Sequence, residues 1–318
     1  MTPPSLALDE TALDYVVVDV FVGNPPRPFE GNPLAVVLGA DELSTAQCQA
    51  LADEFHLSET VFPMAATATG ATAAQADYRA RIFTITSELP FAGHPSVGVA
   101  WVLAQLGRIA PGTVVQECPV GLVTLEIPTG DGLIRLTGPV PNVSGPIDPL
   151  PLLNAVGLLP ADLTGPPPRL SGTGLRFAFL SVHPDAIARA QPNLTGLAAL
   201  EPEIMGVQVL AVSPGDGQSA AGSAGSLAVR ARVFVGDISG EDPATGSAAI
   251  ALGGWLVASG LATATGETAY TISQGVEMGR PSTLECDVTT DAGAITRVRV
   301  SGRVALVASG RIRVPQQT

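Results

Sequence analysis

The chain has 318 residues, enough for two domains or one large one with ample core. Hydrophobic residues make up 46%, which excludes a disordered chain, and a formal net charge of −13 argues against nucleic acid and anionic membrane surfaces as partners. Every basic residue is Arg, so a pyridoxal aldimine, a Schiff-base lysine and a P-loop lysine are all excluded.

Residues 1–13 read as a loose tail. Met1 to Glu10 lacks a basic start and an apolar core, so no signal peptide is expected. Tyr15-Val-Val-Val-Asp-Val-Phe21 is a strand of β-branched and aromatic residues. A loop rich in Gly, Pro and Asn follows, closing on Gly31-Asn32-Pro33, and residues 34–38 make a second strand. Ser44-Thr-Ala-Gln47 is a capping-box start. The helix it opens runs to about His56, with Cys48, Leu51, Ala52 and Phe55 on one face. In Leu57-Ser58-Glu59-Thr60 this helix gives way to a strand, with Glu59 at the junction. Residues 78–84 alternate as a strand, with Arg79 and Arg81 on one side, and a helix led by His94 follows. Three short strands are expected at 114–118, 122–127 and 133–137.

Pro and Gly thicken over 138–174, the best linker candidate, with one short helix near 150–158. Strands are expected at 175–182, 207–212 and 228–235, and helices at 184–191 and 194–200. Residues 213–226 form a Gly/Ser/Ala loop expected to be exposed. After a helix at Ser247 come strands near 269–273, 283–288, 297–301, 304–306 and 311–314. Many strands with few helices predict an α+β fold with mostly antiparallel sheet. The expected domains are 1–140, which a C-terminal strand at about 305–318 would complete, and 141–304.

Cys48, Cys118 and Cys286 are too few and too far apart for a metal site or a disulfide framework. They read as buried thiols in a reduced, cytoplasmic setting. A Gly-x-Ser-x-Gly elbow, a dinucleotide fingerprint, a Walker A and a paired-His zinc helix are all absent. No metal or cofactor is expected. His56 and His183 read as structural residues.

The most informative stretch is Gly240-Glu241-Asp242-Pro243-Ala244-Thr245-Gly246-Ser247-Ala248, leading into an apolar helix that ends near Ser259. The helix is apolar on every side, yet shorter than the ~20 residues of a membrane span, so it is a buried core helix. Ser247 or Thr245 can cap it. Its N-terminus is a ready anion site, although Asp242 and Thr245 taken alone read as caps. Glu88-Leu-Pro-Phe-Ala92-Gly93-His94-Pro95 has the same layout: an acid, a Gly-polar turn, then an apolar helix with one Trp. The likeness suggests two related halves, each wrapped around a central helix, whose N-termini share one site.

Gly31-Asn32-Pro33, Leu57-Ser58-Glu59-Thr60, Phe91-Ala92-Gly93-His94-Pro95, Glu241-Asp242-Pro243-Ala244-Thr245-Gly246-Ser247-Ala248 and the segment from Gln274 to Ser282 together resemble the PhzF family of phenazine-biosynthesis-like isomerases. Order and spacing match over residues 15–314. The resemblance implies two α+β domains of the diaminopimelate epimerase kind, each a sheet curled around a central helix, with the active-site cleft between them. It implies Glu59 as the acid/base that moves a proton between carbons, with His94 and Asp242 as its catalytic partners. Ser247, Gly93, Thr245, Gly246 and Ser58 are expected to bind substrate. A homodimer is also implied. Diaminopimelate epimerase works with two cysteines beside its helices; here those places hold Ala92 and Pro243 or Ala244, which argues against a two-thiol mechanism.

The chemistry is coherent on its own terms. Isomerising a dihydro-hydroxyaromatic acid requires removing an allylic proton and returning it elsewhere, and one carboxylate of raised pKa can do both. Charge building on the substrate acid needs donors, which His94, Ser247 and helix N–H groups supply. Asp242 could hold an amino or hydroxyl group, orient His94, or act as a second acid/base. Glu59, taken alone, reads as a solvated acid at a helix exit. The expected function is isomerisation of a small unsaturated cyclic carboxylic acid, with trans-2,3-dihydro-3-hydroxyanthranilate as the named candidate. The alternatives are an amino-acid epimerase and a non-catalytic binder. Extra segments at about 141–172 and 213–226 point to a different substrate if they border the site.

Overall fold

Two long apolar helices set the architecture, and each lies within its own unit of the chain. The structure, a computed structural model, describes residues 12–67, 76–173, 175–215, 226–236 and 240–316. The first unit is drawn from Met1–Val20, Pro33–Ile134 and Val304–Thr318, the second from Phe21–Asn32 and Arg135–Arg303. Residues 21–32, expected in the N-terminal domain, therefore belong to the second unit.

The first unit begins with β1 (Leu13–Val22), β2 (Asn32–Val37), α1 (Thr45–Phe55) and β3 (Glu59–Met64). It continues with β4 (Tyr78–Phe83), β5 (Glu88–Leu89), α2 (Gly93–Gln105), β6 (Gly112–Cys118) and β7 (Gly121–Ile127). Strand order is β1-β2-β3-β4-β6-β7. Pairs β2·β3 and β4·β6 are parallel, while β3·β4 and β6·β7 are antiparallel. The capping box at α1 forms as its sequence dictates: Gln47 N–H donates to Ser44 Oγ at 3.3 Å, and Ser44 N–H donates to Gln47 Oε1 at 3.0 Å. Both α1 and α2 pack on β3. That is why Val61 and Phe62, neighbours that point to opposite faces, are both fully buried. Close approach of α2 depends on Gly98, where a Cβ would lie 2.5 Å from Leu34 Cδ2 and 2.8 Å from Val20 Cγ2.

The second unit holds β8 (Ile134–Gly138), β9 (Asn142–Pro146), α3 (Pro149–Ala155), β10 (Arg169–Thr173) and β11 (Leu175–Ser181). Then come α4 (Pro184–Ile187), α5 (Leu194–Ala198), β12 (Ile204–Pro214), β13 (Ser226–Val235), α6 (Gly246–Ala258), β14 (Gly266–Gln274), β15 (Ser282–Asp291) and β16 (Ala294–Ile312). The strand order runs β8-β16-β15-β14-β13-β12-β11-β10-β9. Helix α6 packs on β9, β10 and β11 toward one end of this array and on β15 toward the other, so the sheet wraps it. A second layer, α3 to α5, covers the outer face with Leu152, Leu153, Ile187 and Leu197 against Val207 and Val209. The fold is α+β, with β11·β12 and β13·β14 parallel and β9·β10, β10·β11, β12·β13, β14·β15 and β15·β16 antiparallel.

Three expectations change. The stretch 138–174 is not a linker: β9, α3 and β10 occupy it, and β9 ends the strand order, the edge position where Pro146 costs no ladder bond. The three strands expected between 297 and 314 are one, β16. Its glycines look like breaks but are close contacts: a Cβ on Gly302 would strike Phe21, and one on Gly310 would lie 2.8 Å from Tyr15 Oη. The helices expected at 184–191 and 194–200 are shorter, ending at Ile187 and Ala198. Of the loop expected at 213–226, residues 216–225 lie outside the described residues.

Candidate active site

Each long helix opens without a side-chain cap. The N-cap of α2 is Ala92, which has no group to offer; that of α6 is Thr245, whose hydroxyl is used elsewhere. First-turn N–H groups that no cap satisfies are donors for an anion.

In the first unit, β3 starts at Glu59 and α2 starts at Gly93, so the strand start and the helix start meet through their side chains. His94 Nε2 lies 3.4 Å from Glu59 Oε2. His94 is buried, and burial pushes its pKa down to about 3, opposed by a hydrogen bond to the Pro33 backbone. Pro33 offers only a carbonyl, so the imidazole donates its one N–H there and turns a lone pair on Nε2 toward Glu59. Behind the helix start runs a buried polar chain: Tyr78 Oη donates to Gln116 Oε1 at 3.0 Å, Gln116 Nε2 donates to Ser96 Oγ at 2.9 Å, and Ser96 Oγ donates to Ala92 O at 2.9 Å. Ser58 sits exposed in the turn before Glu59.

In the second unit, Thr245 does not cap α6. Its Oγ1 donates to Asp242 Oδ2 at 2.6 Å, while Asn32 Nδ2 donates to Asp242 Oδ1 at 2.8 Å and to Ala244 O at 3.0 Å. Gln274 completes the frame: Nε2 donates to Asp242 O at 2.7 Å and to Thr245 Oγ1 at 3.1 Å, and Oε1 accepts from Thr245 N–H at 3.4 Å. Glu241 faces the other way. It is buried in a bidentate pair with Arg232, Nε to Oε1 at 2.8 Å and Nη2 to Oε2 at 2.6 Å, so it anchors the loop. Asp242 N–H donates to Val233 O at 3.0 Å, pinning the loop to β13. Gly246 is the first residue of α6, and Ser247, half-buried, lies in its first turn.

Each unit thus gathers part of the expected set: Glu59, His94 and Gly93 in the first, Asp242, Thr245, Gly246 and Ser247 in the second. Asn32, Pro33 and Gln274 are additions. All three lie in motif segments, but no spacing rule ties Asn32 to Asp242 across 210 positions. All three cysteines are buried and free, and burial raises the Cys48 thiol to about 11, so it carries little thiolate at neutral pH. Among the described residues, no group of three His, Cys, Asp or Glu could hold a metal ion, and no helix is long and apolar enough to cross a membrane.

The model of the family described as phenazine biosynthesis-like protein, PhzC-PhzF, matches residues 18–310. The chain belongs to the PhzF family. It is therefore an enzyme of the isomerase class. The trans-2,3-dihydro-3-hydroxyanthranilate isomerase of Pseudomonas chlororaphis is 32% identical, over 94% of this chain and 98% of that one. A phenazine biosynthesis protein of the PhzF family from Bacillus anthracis superposes with a TM-score of 0.79 at 22% identity, covering 95% of this chain and 99% of that one. A predicted epimerase from Pseudomonas aeruginosa superposes with a TM-score of 0.73 at 32% identity, covering 94% and 99%.

Proposed function

We propose that this PhzF-family chain moves a proton between two carbons of a small unsaturated cyclic carboxylic acid, with Glu59 as the acid/base. The observation that carries the reading is the 3.4 Å approach of Glu59 Oε2 to Nε2 of a neutral His94 at the uncapped start of α2. The Glu59 carboxylate removes an allylic proton, becoming a carboxylic acid. That acid can donate to the Nε2 lone pair while the proton waits, and then deliver it to another carbon of the conjugated system. The proton that leaves one carbon returns to another, so the step balances without a cofactor. Uncapped N–H groups at the helix start suit the substrate carboxylate as charge builds on it.

Trans-2,3-dihydro-3-hydroxyanthranilate is the proposed test substrate, on the strength of the relative that bears that name. The test is proton NMR in deuterated buffer with wild type and Glu59→Gln. Loss of the diene signals with wild type alone supports the reading. A second reading, epimerisation of an amino-acid-like acid, is favoured by the relative titled a predicted epimerase. Deuterium entering a stereocentre with no shift of a double bond would select it. Three buried free thiols fit a reducing, cytoplasmic setting. A homodimer is part of the proposal, and light scattering tests it.

A further inference from the structure

We infer that Asn32 and Gln274 are positioning residues that fix Asp242 as an acceptor-only carboxylate, so that Asp242 binds and orients the substrate and does not shuttle a proton. The inference rests on the isomerase reading for its kinetic consequence, and on geometry for its structural one.

The two amides come first. Asn32 is fully buried, and both hydrogens of its NH2 are committed, one to Asp242 Oδ1 and one to Ala244 O. Rotating this amide by 180° would point its oxygen at a carboxylate and a carbonyl, two acceptors, so the orientation is fixed by chemistry. The same holds for Gln274, whose NH2 serves Asp242 O and Thr245 Oγ1 while its oxygen takes the Thr245 N–H. A reversed Gln274 would set its oxygen against a carbonyl and its NH2 against an N–H. Direction then propagates. Because Thr245 Oγ1 accepts from Gln274, its single hydrogen is left for Asp242 Oδ2, 2.6 Å away. Asp242 receives a donor on each oxygen, which is the role of a carboxylate and not of a proton carrier. Further lone pairs on those oxygens suit a donor on the substrate, an amino or hydroxyl group.

A single segment braces both amides. Gln274 stands at one end of it. At the other, Arg280 Nε donates to Gly31 O at 2.8 Å, Arg280 Nη2 donates to Glu30 O at 3.1 Å, and Pro281 O accepts from Gly31 N–H at 3.1 Å. Those bonds hold the two residues that precede Asn32. Gly275 lets the segment turn against the Asp242 loop: its φ is +73°, and a Cβ there would lie 2.6 Å from Pro243 O.

Near-isosteric variants test the donors without opening a cavity. Asn32→Asp and Gln274→Glu each replace an NH2 donor with a carboxylate oxygen. Kinetics with trans-2,3-dihydro-3-hydroxyanthranilate at pH 8 are expected to show kcat/KM lower by about 10–100-fold. Lowering the pH should shrink the loss, because the new acid regains a hydrogen and donates again. Values within two-fold of wild type, in folded variants, would overturn the positioning role, and so would a loss that pH does not move. A cycle that needs no substrate decides the contact separately. Melting temperatures are compared for Asn32→Ala, Asp242→Ala and the double variant. If the contact is as described, the double loses less than the two singles added together; additive losses would overturn it. A wild type that leaves trans-2,3-dihydro-3-hydroxyanthranilate unchanged removes that substrate from the proposed function, and the melting cycle then decides the Asn32 contact by itself.

Discussion

Helices α2 and α6 are alike in length, burial and lack of a side-chain cap, yet their entrances are built on opposite electrostatic plans. At α2 a buried imidazole is kept neutral, and the Glu59 carboxylate approaches its Nε2 to 3.4 Å. At α6 neutral donors hold the carboxylate, and the direction of their bonds is fixed. In the proposed function the first entrance moves a proton, while the second holds its own carboxylate still.

The largest break in that comparison is Glu59→Gln, which keeps the shape and removes the carboxylate proposed as the base. Turnover of trans-2,3-dihydro-3-hydroxyanthranilate is expected to fall by about 10²–10⁴-fold, with the melting temperature held. Proton NMR in deuterated buffer reads the first, and calorimetry the second.

Gly275→Ala strikes the other entrance. A Cβ there meets the Arg280 and Pro243 carbonyls in a left-handed backbone, and a loss of roughly 3–5 kcal/mol is expected in urea unfolding. By contrast, Gly98→Ala under α2 meets only side-chain tips, Leu34 Cδ2 and Val20 Cγ2, and should cost about 1–3 kcal/mol. Equal losses would mean that the segment behind Asp242 is no more constrained than the packing of α2.

The neutral imidazole has its own signature. An unfolded histidine takes up a proton near its ordinary value of about 6.5, whereas buried His94 does so only near 3. Below the unfolded value the unfolded state binds more protons, so stability falls as pH drops, by about 1.4 kcal/mol per pH unit between roughly 6.5 and 3. His94→Gln should flatten that limb in unfolding measured at pH 7, 6 and 5. An unchanged slope would mean that His94 binds its proton as readily in the fold as in the unfolded chain.

The smallest expected effect sharpens the comparison. Ala92→Ser supplies the cap that α2 lacks, in backbone already extended at φ −149° and ψ 141°. It should add about 0.5–1 kcal/mol of stability and, under the proposed function, raise KM, because the new hydroxyl would take an N–H that the proposal gives to the substrate acid. A stabler protein with an unchanged KM would take the α2 start out of substrate binding.

Local pattern carried much of the fold. The capping box at Ser44, the alternation of β4 and the small, apolar character of α2 and α6 are short-range signals, and each element formed where its pattern lay. Five motif segments also carried the family. Long-range partners, by contrast, leave no period in a sequence. Nothing near Gly302 announces that its missing Cβ makes room for Phe21, so β16 reads as fragments. Nothing near Pro146 announces an edge strand, so β9 reads as linker. Glu59 and His94 could be named from their motifs, but the 3.4 Å between them and the burial that neutralises the imidazole exist only in the folded chain. The role of Thr245 reversed for the same reason. A threonine before a helix is a cap by local rule, and only Gln274, 29 positions away, turns its hydroxyl toward Asp242. Sequence determined which side chains stand in the motif segments; tertiary structure decided the direction of the hydrogen bonds among them, because direction depends on partners that only folding brings within about 3 Å.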